Sequence, residues 1–205
     1  HAQAYFVCGG LPAYLECFDR DRSIEQNLAA NFFRDSAALA REPEFLLREE
    51  LRDVANYHGV LHSMAALGET TNGGIARAAG LGDRALPYYL GTLMELGYVR
   101  RRHPLHGATN TARETRYAIA DPLLRFWFRF VYPNLSRIPV LGPERSVREL
   151  VRPHFDAFCG EAFERLCREA LPLLHAAEKI TTTTTIGEFW AKDVQIDTVA
   201  LRDDG

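Results

Sequence analysis

The sequence contains 205 residues, of which 47% are hydrophobic and 25% are charged, and these fractions are typical of globular proteins. No apolar run approaches the roughly 20 residues that a membrane-spanning helix needs, so no membrane partner is expected. The formal net charge of -3 excludes a protein that coats nucleic acid by bulk positive charge. Any contact with nucleic acid must therefore come from a local basic patch.

The four cysteines give no sign of a zinc site, since the spacing of Cys8, Cys17, Cys159 and Cys167 matches no zinc-ligand pattern. Cys159 and Cys167 lie in an amphipathic helical stretch and are expected to be buried free thiols. These features and the absence of a secretory signal predict a cytoplasmic protein. The sequence begins at His1 rather than Met and ends within a strand-like pattern, so we expect a fragment of a longer protein.

Residues 1–55 are predicted to form a first, helical domain. Gly9 and Gly10 interrupt the chain, and Pro12 suits the first turn of the helix that follows. Apolar residues then recur at helical spacing over residues 24–33. A further helix is predicted over residues 43–55, with charged side chains along one side.

Residues 56–120 have the element order of a winged helix-turn-helix, a fold that usually lies on duplex DNA. A helix is predicted over residues 57–67. Thr71 is a suitable N-cap for a short helix over residues 72–79, which a glycine-containing turn ends.

The second helix of this unit is predicted over residues 84–96, with Asp83 as its cap. Pro87 lacks a backbone donor and therefore favours a later start. Strands are predicted over residues 98–103 and 115–120, and a polar, turn-rich loop joins them as the wing.

The candidate DNA contacts lie on the second helix and on the first strand. DNA binding by this fold needs a helix presented to the major groove and a basic hairpin that holds phosphates. The presented helix carries a single arginine, so a winged helix that contacts protein instead of DNA stays open as an alternative. The candidates on the helix are Arg84, Tyr88, Tyr89 and Thr92, and those on the hairpin are Arg100, Arg101, Arg102 and His103.

Residues 121–205 are predicted to form a third domain. Asp121 and Pro122 begin a helix that is expected to be almost wholly buried, in which Arg125 and Arg129 share one face.

Later in this domain, residues 136–143 are predicted to be a linker, because they are rich in proline and glycine. Helices are expected over residues 144–152 and 155–171. A run of threonines at 181–185 favours extended structure and has no assigned role, and residues 194–201 suit a buried strand.

Two acidic residues and an amide are candidates for a divalent-metal site. Glu164 lies on a predicted helix, and Gln195 and Asp197 share one face of the last predicted strand. A helix glutamate and a strand aspartate can supply the carboxylate oxygens that hard cations prefer. The alternative, which the spacing favours, is that the strand face is an exposed sheet surface and Glu164 is a solvated helix residue.

Motifs for nucleotide chemistry are absent from the sequence. It contains no G-x-x-x-x-G-K-[ST] loop and no G-x-G-x-x-G loop, so the chain has no phosphate cradle of its own. His58 and His62 are four residues apart on one predicted helix, but no third ligand accompanies them. No serine stands in a nucleophile elbow.

Three segments of the chain resemble the C-terminal part of prokaryotic P-loop ATPases of the archaeal-ATPase type, within the signal-transduction (STAND) ATPase group, which are AAA-like. The segment G-G-L-P-A-Y-L at residues 9–15 is similar to the segment that follows their ATPase core. I-A-R-A-A-G-L and Y-L-G-T-L-M-E-L-G-Y-V resemble their winged helix. G-E-A-F-E-R-L-C, I-G-E-F-W and Q-I-D-T-V-A-L resemble their C-terminal domain.

The resemblance implies a lid that senses nucleotide, to which Gly10 and Pro12 would belong. It also implies a C-terminal domain of the PD-(D/E)xK nuclease fold, with Glu164 as the helix acid and Asp197 as the strand acid. That family has glutamate where Gln195 stands, and it follows the aspartate strand with a glutamate-x-lysine strand, which would come after the last residue of this sequence. ATP and Mg²⁺ are implied for the full-length parent, and no cofactor is implied for this chain.

The predicted fold is therefore mainly α with α+β parts: lid-like helices, a winged helix-turn-helix and the start of an α/β nuclease-like domain. The leading functional hypothesis is a regulatory, DNA-associated region of an ATPase whose nucleotide-binding core lies outside this chain. The alternatives are a metal-dependent DNA nuclease and a winged-helix scaffold that binds an unidentified protein. This chain by itself is not expected to be catalytic. On the nuclease hypothesis, a chain extended past Gly205 would cleave DNA with Mg²⁺, and Asp197→Ala would abolish cleavage.

Overall fold

Local capping signals in the N-terminal part of the chain determine where its helices begin. The computed structural model describes residues 2–82, 84–105, 115–177, 185–191 and 194–201. As the sequence predicts, Gly9 takes a φ of 74° and separates the first two helices, and Pro12 stands at the first position of the second. Ser23 and Gln26 form a capping box at the start of the third. These elements are α1 (Ala2–Cys8), α2 (Pro12–Leu15), α3 (Ile24–Phe32) and α4 (Glu42–Glu50).

The prediction of one continuous helix over residues 43–55 is wrong in its second half. α4 ends at Glu50, because Leu51 adopts extended backbone angles of φ -125° and ψ 135°. A separate helix, α5 (Val54–Leu67), begins four residues after Glu50. The break lets α5 turn its apolar stripe, which includes Val60, Leu61 and Met64, into the core.

The helix, turn, helix and hairpin order predicted for the middle of the chain is present. Thr71 Oγ1 accepts a hydrogen bond from the backbone N–H of Gly74 at 3.4 Å, which satisfies one of the free donors at the helix start. Gly80 ends the same helix in the left-handed region with a φ of 67°. We call residues 72–119 the helix–hairpin unit; its elements are α6 (Asn72–Ala79), α7 (Leu86–Glu95), β1 (Val99–Arg102) and β2 (Arg116–Ile119).

The second helix of this unit starts two residues later than residue 84. Pro87 stands in the first turn of α7, where a missing backbone donor does no harm, and this agrees with the late start that Pro87 favours. Leu86, Leu90 and Leu93 are buried on its core face. The predicted cap, Asp83, lies outside the described residues.

The C-terminal part of the chain is more helical than predicted. Asp121 Oδ1 accepts a hydrogen bond from Leu124 N at 2.8 Å and begins the buried helix, as the sequence indicates. The predicted linker at residues 136–143 is wrong, because a short helix occupies residues 138–141 and the next helix begins at Pro143. The elements are α8 (Pro122–Phe126), a π-helical stretch (Trp127–Val131), a 3-10 turn (Tyr132–Asn134), α9 (Ile138–Leu141), α10 (Pro143–Ser146), a second π-helical stretch (Val147–Val151) and α11 (Arg152–Ala176).

Two antiparallel hairpins accompany the helices. β1 pairs with β2, with Val99 opposite Ile119. β3 (Thr185–Ala191) pairs with β4 (Val194–Leu201), and residues 181–184 of the threonine run lie outside the described residues. The prediction of a buried final strand is wrong: β4 is exposed along most of its length, because it pairs with β3 in a two-stranded sheet that leaves Val194 and Ile196 in solvent. The fold is thus mainly helical with small antiparallel sheets.

A continuous hydrophobic core extends from α1 to α11. At its centre lie the fully buried rings of Phe126, Trp127 and Phe128. Cys8 is buried, whereas Cys159 and Cys167 are half-buried free thiols, which corrects the expectation that both are buried. No helix in the described ranges is long and apolar enough to cross a membrane.

Replacing Gly80 by alanine is expected to destabilise the protein by about 1 kcal/mol, because its left-handed backbone is unfavourable for a residue with a Cβ. The matched control is Gly73→Ala inside α6, where a Cβ would meet no atom within 4 Å and where alanine is the better helix former. That control is expected to stabilise the protein by about 0.5–1 kcal/mol. Urea unfolding followed by circular dichroism measures both, and equal effects of the two changes would contradict the assignment of Gly80.

Candidate functional site

In its described part, the helix–hairpin unit exposes three arginines and a tyrosine to solvent. Arg77 lies near the end of α6, Arg84 just before α7 and Arg101 on β1, and all three are exposed. Tyr88 on α7 is 70% exposed. Within the described ranges, no carboxylate forms an ion pair with these arginines; the Arg101 guanidinium lies 5.8 Å from the centre of the Tyr117 ring. Arg77 was not among the residues that the sequence singled out.

The other two candidates on α7 make structural contacts. Tyr89 donates a hydrogen bond to Asp53 Oδ2 at 3.0 Å and accepts one from Asn56 Nδ2 at 2.9 Å, which fastens α7 to the start of α5. The bond to Asp53 raises the pKa of Tyr89. Thr92 donates to the carbonyl of Tyr88 at 3.2 Å. Contact of Tyr89 and Thr92 with DNA stays a prediction.

The basic side chains of β1 divide between two faces, because alternate strand residues point in opposite directions. Arg101 faces solvent, whereas Arg102 is 7% exposed and forms ion pairs with both Glu69 and Glu188. Arg100 Nη1 lies 3.1 Å from Glu169 Oε1 on α11. Two of the three arginines predicted to hold DNA phosphates therefore connect β1 to the rest of the protein. Their role toward DNA stays a prediction.

The final candidate of the hairpin is His103, which follows β1 and is exposed. Its Nδ1 lies 3.3 Å from Thr115 Oγ1, at the start of the returning strand. The contact fastens the two ends of the loop whose residues 106–114 lie outside the described ranges.

The ion pairs of Arg102 join the two hairpins. Glu188 on β3 is shared between Arg102 and Arg168, whose Nε lies 2.9 Å from Glu188 Oε1. The backbone N–H of Leu105 donates to the Glu188 carbonyl. Burial and neighbouring arginines lower the pKa of Arg102 to about 9, so this guanidinium keeps its charge at neutral pH.

A cavity of about 310 Å³ lies where the end of α5, the two hairpins, α8 and α11 meet. Its lining is strongly charged. The arginines of the lining are Arg100, Arg116, Arg125, Arg129, Arg165 and Arg168, and its carboxylates are those of Glu69, Glu161, Glu164, Glu188 and Asp197. The sequence indicated the shared face of Arg125 and Arg129 from their spacing, but it assigned them no function.

Glu164, Gln195 and Asp197 all line this cavity. Gln195 Nε2 donates to Asp197 Oδ1 at 3.2 Å, and Gln195 Oε1 accepts from Arg116 Nη1 at 2.9 Å. The amide therefore turns its nitrogen toward Asp197 and uses its oxygen on an arginine, so it offers no oxygen to a cation.

These residues alone do not complete a metal site. In the described part of the chain, no three histidine, cysteine, aspartate or glutamate side chains are close enough together to hold a metal ion. The charge of Arg168 also acts on both Glu164 and Asp197, which disfavours a second cation there. A metal site at Glu164 and Asp197 and nuclease activity of a longer chain both stay predictions.

The predicted lid residues lie on the surface around α2. Pro12 is exposed at the first position of that helix. Gly10 is exposed as well, and a Cβ on it would lie 3.4 Å from the ring of Tyr5. Gly9 lies instead beside Pro122 at the start of α8, and a Cβ on Gly9 would lie 3.4 Å from the ring of Pro122. Nucleotide sensing by Gly10 and Pro12 stays a prediction.

Comparison with known proteins gives similarities that carry little functional information. Residues 127–205 match DUF234, a family of archaeal and bacterial proteins of unknown function. The chain is 28% identical over 204 residues to the uncharacterized protein MJECL04 of Methanocaldococcus jannaschii. That alignment covers 98% of this chain and 44% of the relative, so the chain spans less than half of the relative's length.

Among solved structures, the chain is similar to a MarR family regulator from Neisseria meningitidis. The similarity covers 66% of this chain and 82% of the regulator, at 17% sequence identity and a TM-score of 0.31. A score at this level does not establish a shared fold.

Proposed function

We propose that this chain is the DNA-associated, regulatory C-terminal region of a P-loop ATPase of the archaeal type, and that the helix–hairpin unit acts in it as a winged helix on duplex DNA. The observation that carries the proposal is the exposure of Arg77, Arg84 and Arg101 without carboxylate partners in the described part of the molecule. Guanidinium groups that are already solvated and unpaired can bind phosphates without first breaking an ion pair.

The proposed contacts differ from those that the sequence pattern suggests. Arg84 and Tyr88 would approach DNA from α7, Arg77 from α6 and Arg101 from β1. Arg100 and Arg102 would instead hold the hairpin against the C-terminal residues, since each has an acidic partner at ion-pair distance. This small number of free arginines is consistent with local DNA contact by a protein of net negative charge.

The ATPase part of the proposal rests on the resemblance of residues 9–15 and of the later segments to that group. On this proposal, ATP and Mg²⁺ bind to a core outside residues 1–205, and α2 with Gly10 and Pro12 responds to the bound nucleotide. The helix–hairpin unit then carries that response to DNA. A protein-binding scaffold is the competing function. It predicts that DNA binding is absent or does not depend on salt.

Duplex binding by the 205-residue chain is expected to weaken steeply with salt. Each neutralised phosphate contributes about -0.9 to the slope of log K against log salt, so three arginine contacts predict a slope of about -3. Arg84→Gln and Arg101→Gln are each expected to reduce the steepness of that slope by about 1. Fluorescence anisotropy of a labelled duplex between low and physiological salt measures these slopes.

The matched control is Arg148→Gln, which removes an exposed arginine from the second π-helical stretch, away from the helix–hairpin unit. It is expected to leave both affinity and slope unchanged. Binding that is absent, independent of salt, or equally affected by Arg148→Gln and Arg84→Gln would sink the DNA proposal and favour the scaffold.

A further inference from the structure

Four arginines line the charged cavity, and few of the carboxylates around them form ion pairs with them in the described part of the chain. We call Arg100, Arg125, Arg129 and Arg165 the arginine cluster. The carboxylate within ion-pair distance of its members is that of Glu169, whose Oε1 lies 3.1 Å from Arg100 Nη1 and 2.9 Å from Arg165 Nε. In the described part of the chain, Arg125 and Arg129 have no ion-pair partner.

Several donors of the cluster are not used by the protein. Arg125 Nη2 donates to the Phe6 carbonyl at a long 3.4 Å, and Arg129 Nη1 donates to the Ala65 carbonyl at 3.1 Å. The Nε atoms of Arg100 and Arg125 are buried without a hydrogen-bond partner among the described residues. Buried polar donors are normally satisfied, so these atoms point to an acceptor that the described residues do not supply.

The electrostatics of the cluster favour an anion. Burial lowers the pKa of Arg100 and of Arg125 to about 10 each, and the neighbouring charge of Arg165 lowers both further. Both guanidiniums are therefore charged at neutral pH, in a setting where burial and neighbouring arginines oppose the charge and Glu169 and Glu161 offset this only in part. A bound anion would relieve both effects at once.

The solvent side of the cavity selects the kind of anion. Glu161, Glu164 and Asp197 are exposed residues of the lining, and none forms an ion pair within the described ranges. An internal phosphodiester would bring its neighbouring phosphates against these carboxylates. A phosphate at the end of a strand has a neighbouring phosphate on one side only, so less negative charge comes close to these carboxylates. Its second negative charge can form charge-assisted hydrogen bonds with several guanidiniums.

We propose that the arginine cluster binds a phosphomonoester dianion, supplied by the terminal phosphate of a nucleic-acid strand. The volume of about 310 Å³ accommodates such a group together with its first nucleotide, at the small end of the range for ligand sites. Free inorganic phosphate shares this chemistry and is the other source of the same ligand. The arginine cluster shares β1 with the proposed DNA surface, because Arg100 and Arg101 are adjacent on that strand, but the two sites have no residue in common.

The test compares short oligonucleotides that carry a 5′- or 3′-terminal phosphate with the same sequences ending in hydroxyl groups. The terminal phosphate is expected to strengthen binding to the 205-residue chain by about tenfold or more, as for other charge-assisted contacts. Arg129→Gln is expected to remove that difference. Arg129 is half-exposed and, unlike Arg125, has no buried Nε without a partner among the described residues, and a thermal melt without ligand confirms that the variant is folded.

Two controls separate this inference from the proposed function. Arg148→Gln should keep the preference for terminal phosphate. Arg84→Gln should weaken the binding of the phosphorylated and the hydroxyl-ended oligonucleotide equally, without changing the ratio of their affinities. Inorganic phosphate, titrated alone by calorimetry, tests the cluster even if no DNA binds to the helix–hairpin unit. Phosphate binding that Arg129→Gln abolishes, without a preference for phosphorylated ends, would support the anion site and identify free phosphate as its occupant. No end preference together with no phosphate binding would overturn the proposal.

Discussion

Replacing Arg102 by methionine is expected to lower the free energy of unfolding by about 3–5 kcal/mol, as when one partner of a buried ion pair is removed. The Arg102 side chain is 7% exposed, and Glu188, one of its two partners, is 11% exposed. Without Arg102, Glu69 loses its ion-pair partner among the described residues, and Glu188 keeps Arg168. Urea unfolding at neutral pH, followed by circular dichroism, measures the loss.

The matched control is Arg101→Met on the same strand. Arg101 is exposed and has no ion pair among the described residues, so this change is expected to alter the free energy of unfolding by less than about 0.5 kcal/mol. If Arg102→Met costs less than about 1 kcal/mol, or no more than the control, then the two hairpins are not joined by this arginine.

Replacing Phe126 by alanine is expected to cost about 3–5 kcal/mol, the range for a large-to-small change of a buried aromatic residue. Phe126 is fully buried, and its ring centre lies 4.7 Å from that of Phe32, 5.1 Å from that of Phe130 and 5.7 Å from that of Phe158. Those rings belong to α3, the first π-helical stretch and α11. The cavity left by alanine would therefore loosen three parts of the core together.

Phe163→Ala is the control for this change, because Phe163 also lies on a helix but is 57% exposed. It is expected to alter the free energy of unfolding by about 0.5 kcal/mol or less. Phe126→Leu provides a second comparison, since it keeps most of the buried volume and is expected to cost less than the alanine change. Equal losses for Phe126→Ala and Phe163→Ala would show that α8 is not at the centre of the core.

The elements whose signals are local could be predicted from the sequence. Thr71 and Gly80 determine the start and the end of α6 by themselves, and Asp121 does the same at the start of α8. The leucines of α7 recur at helical spacing and lie on its buried face. For these elements the neighbours that matter are within a few residues in the sequence, so the pattern contains the necessary information.

The parts that could not be predicted depend on residues far apart in the sequence. A basic strand such as β1 suggests a phosphate-binding surface. Which of its arginines form ion pairs depends on Glu69, Glu169 and Glu188, which approach one face of the strand from distant parts of the sequence. The apolar residues of β4 likewise suggest a buried strand. The sequence does not show that β4 pairs only with β3 among the described strands, which leaves most of its side chains in solvent. The candidate site changed for the same reason, and in the described part of the helix–hairpin unit the exposed arginines without an ion pair are Arg77, Arg84 and Arg101.

The sharing of Glu188 between arginines of distant elements has a consequence for biosynthesis. Glu188 is 188 - 102 = 86 positions after Arg102, so at roughly 5–20 residues per second it is added about 4–17 s later. During that interval Glu69, which is made first, is already available to Arg102. The nascent chain can thus fold its first hairpin around one carboxylate, and the second carboxylate then fastens the hairpin that arrives last.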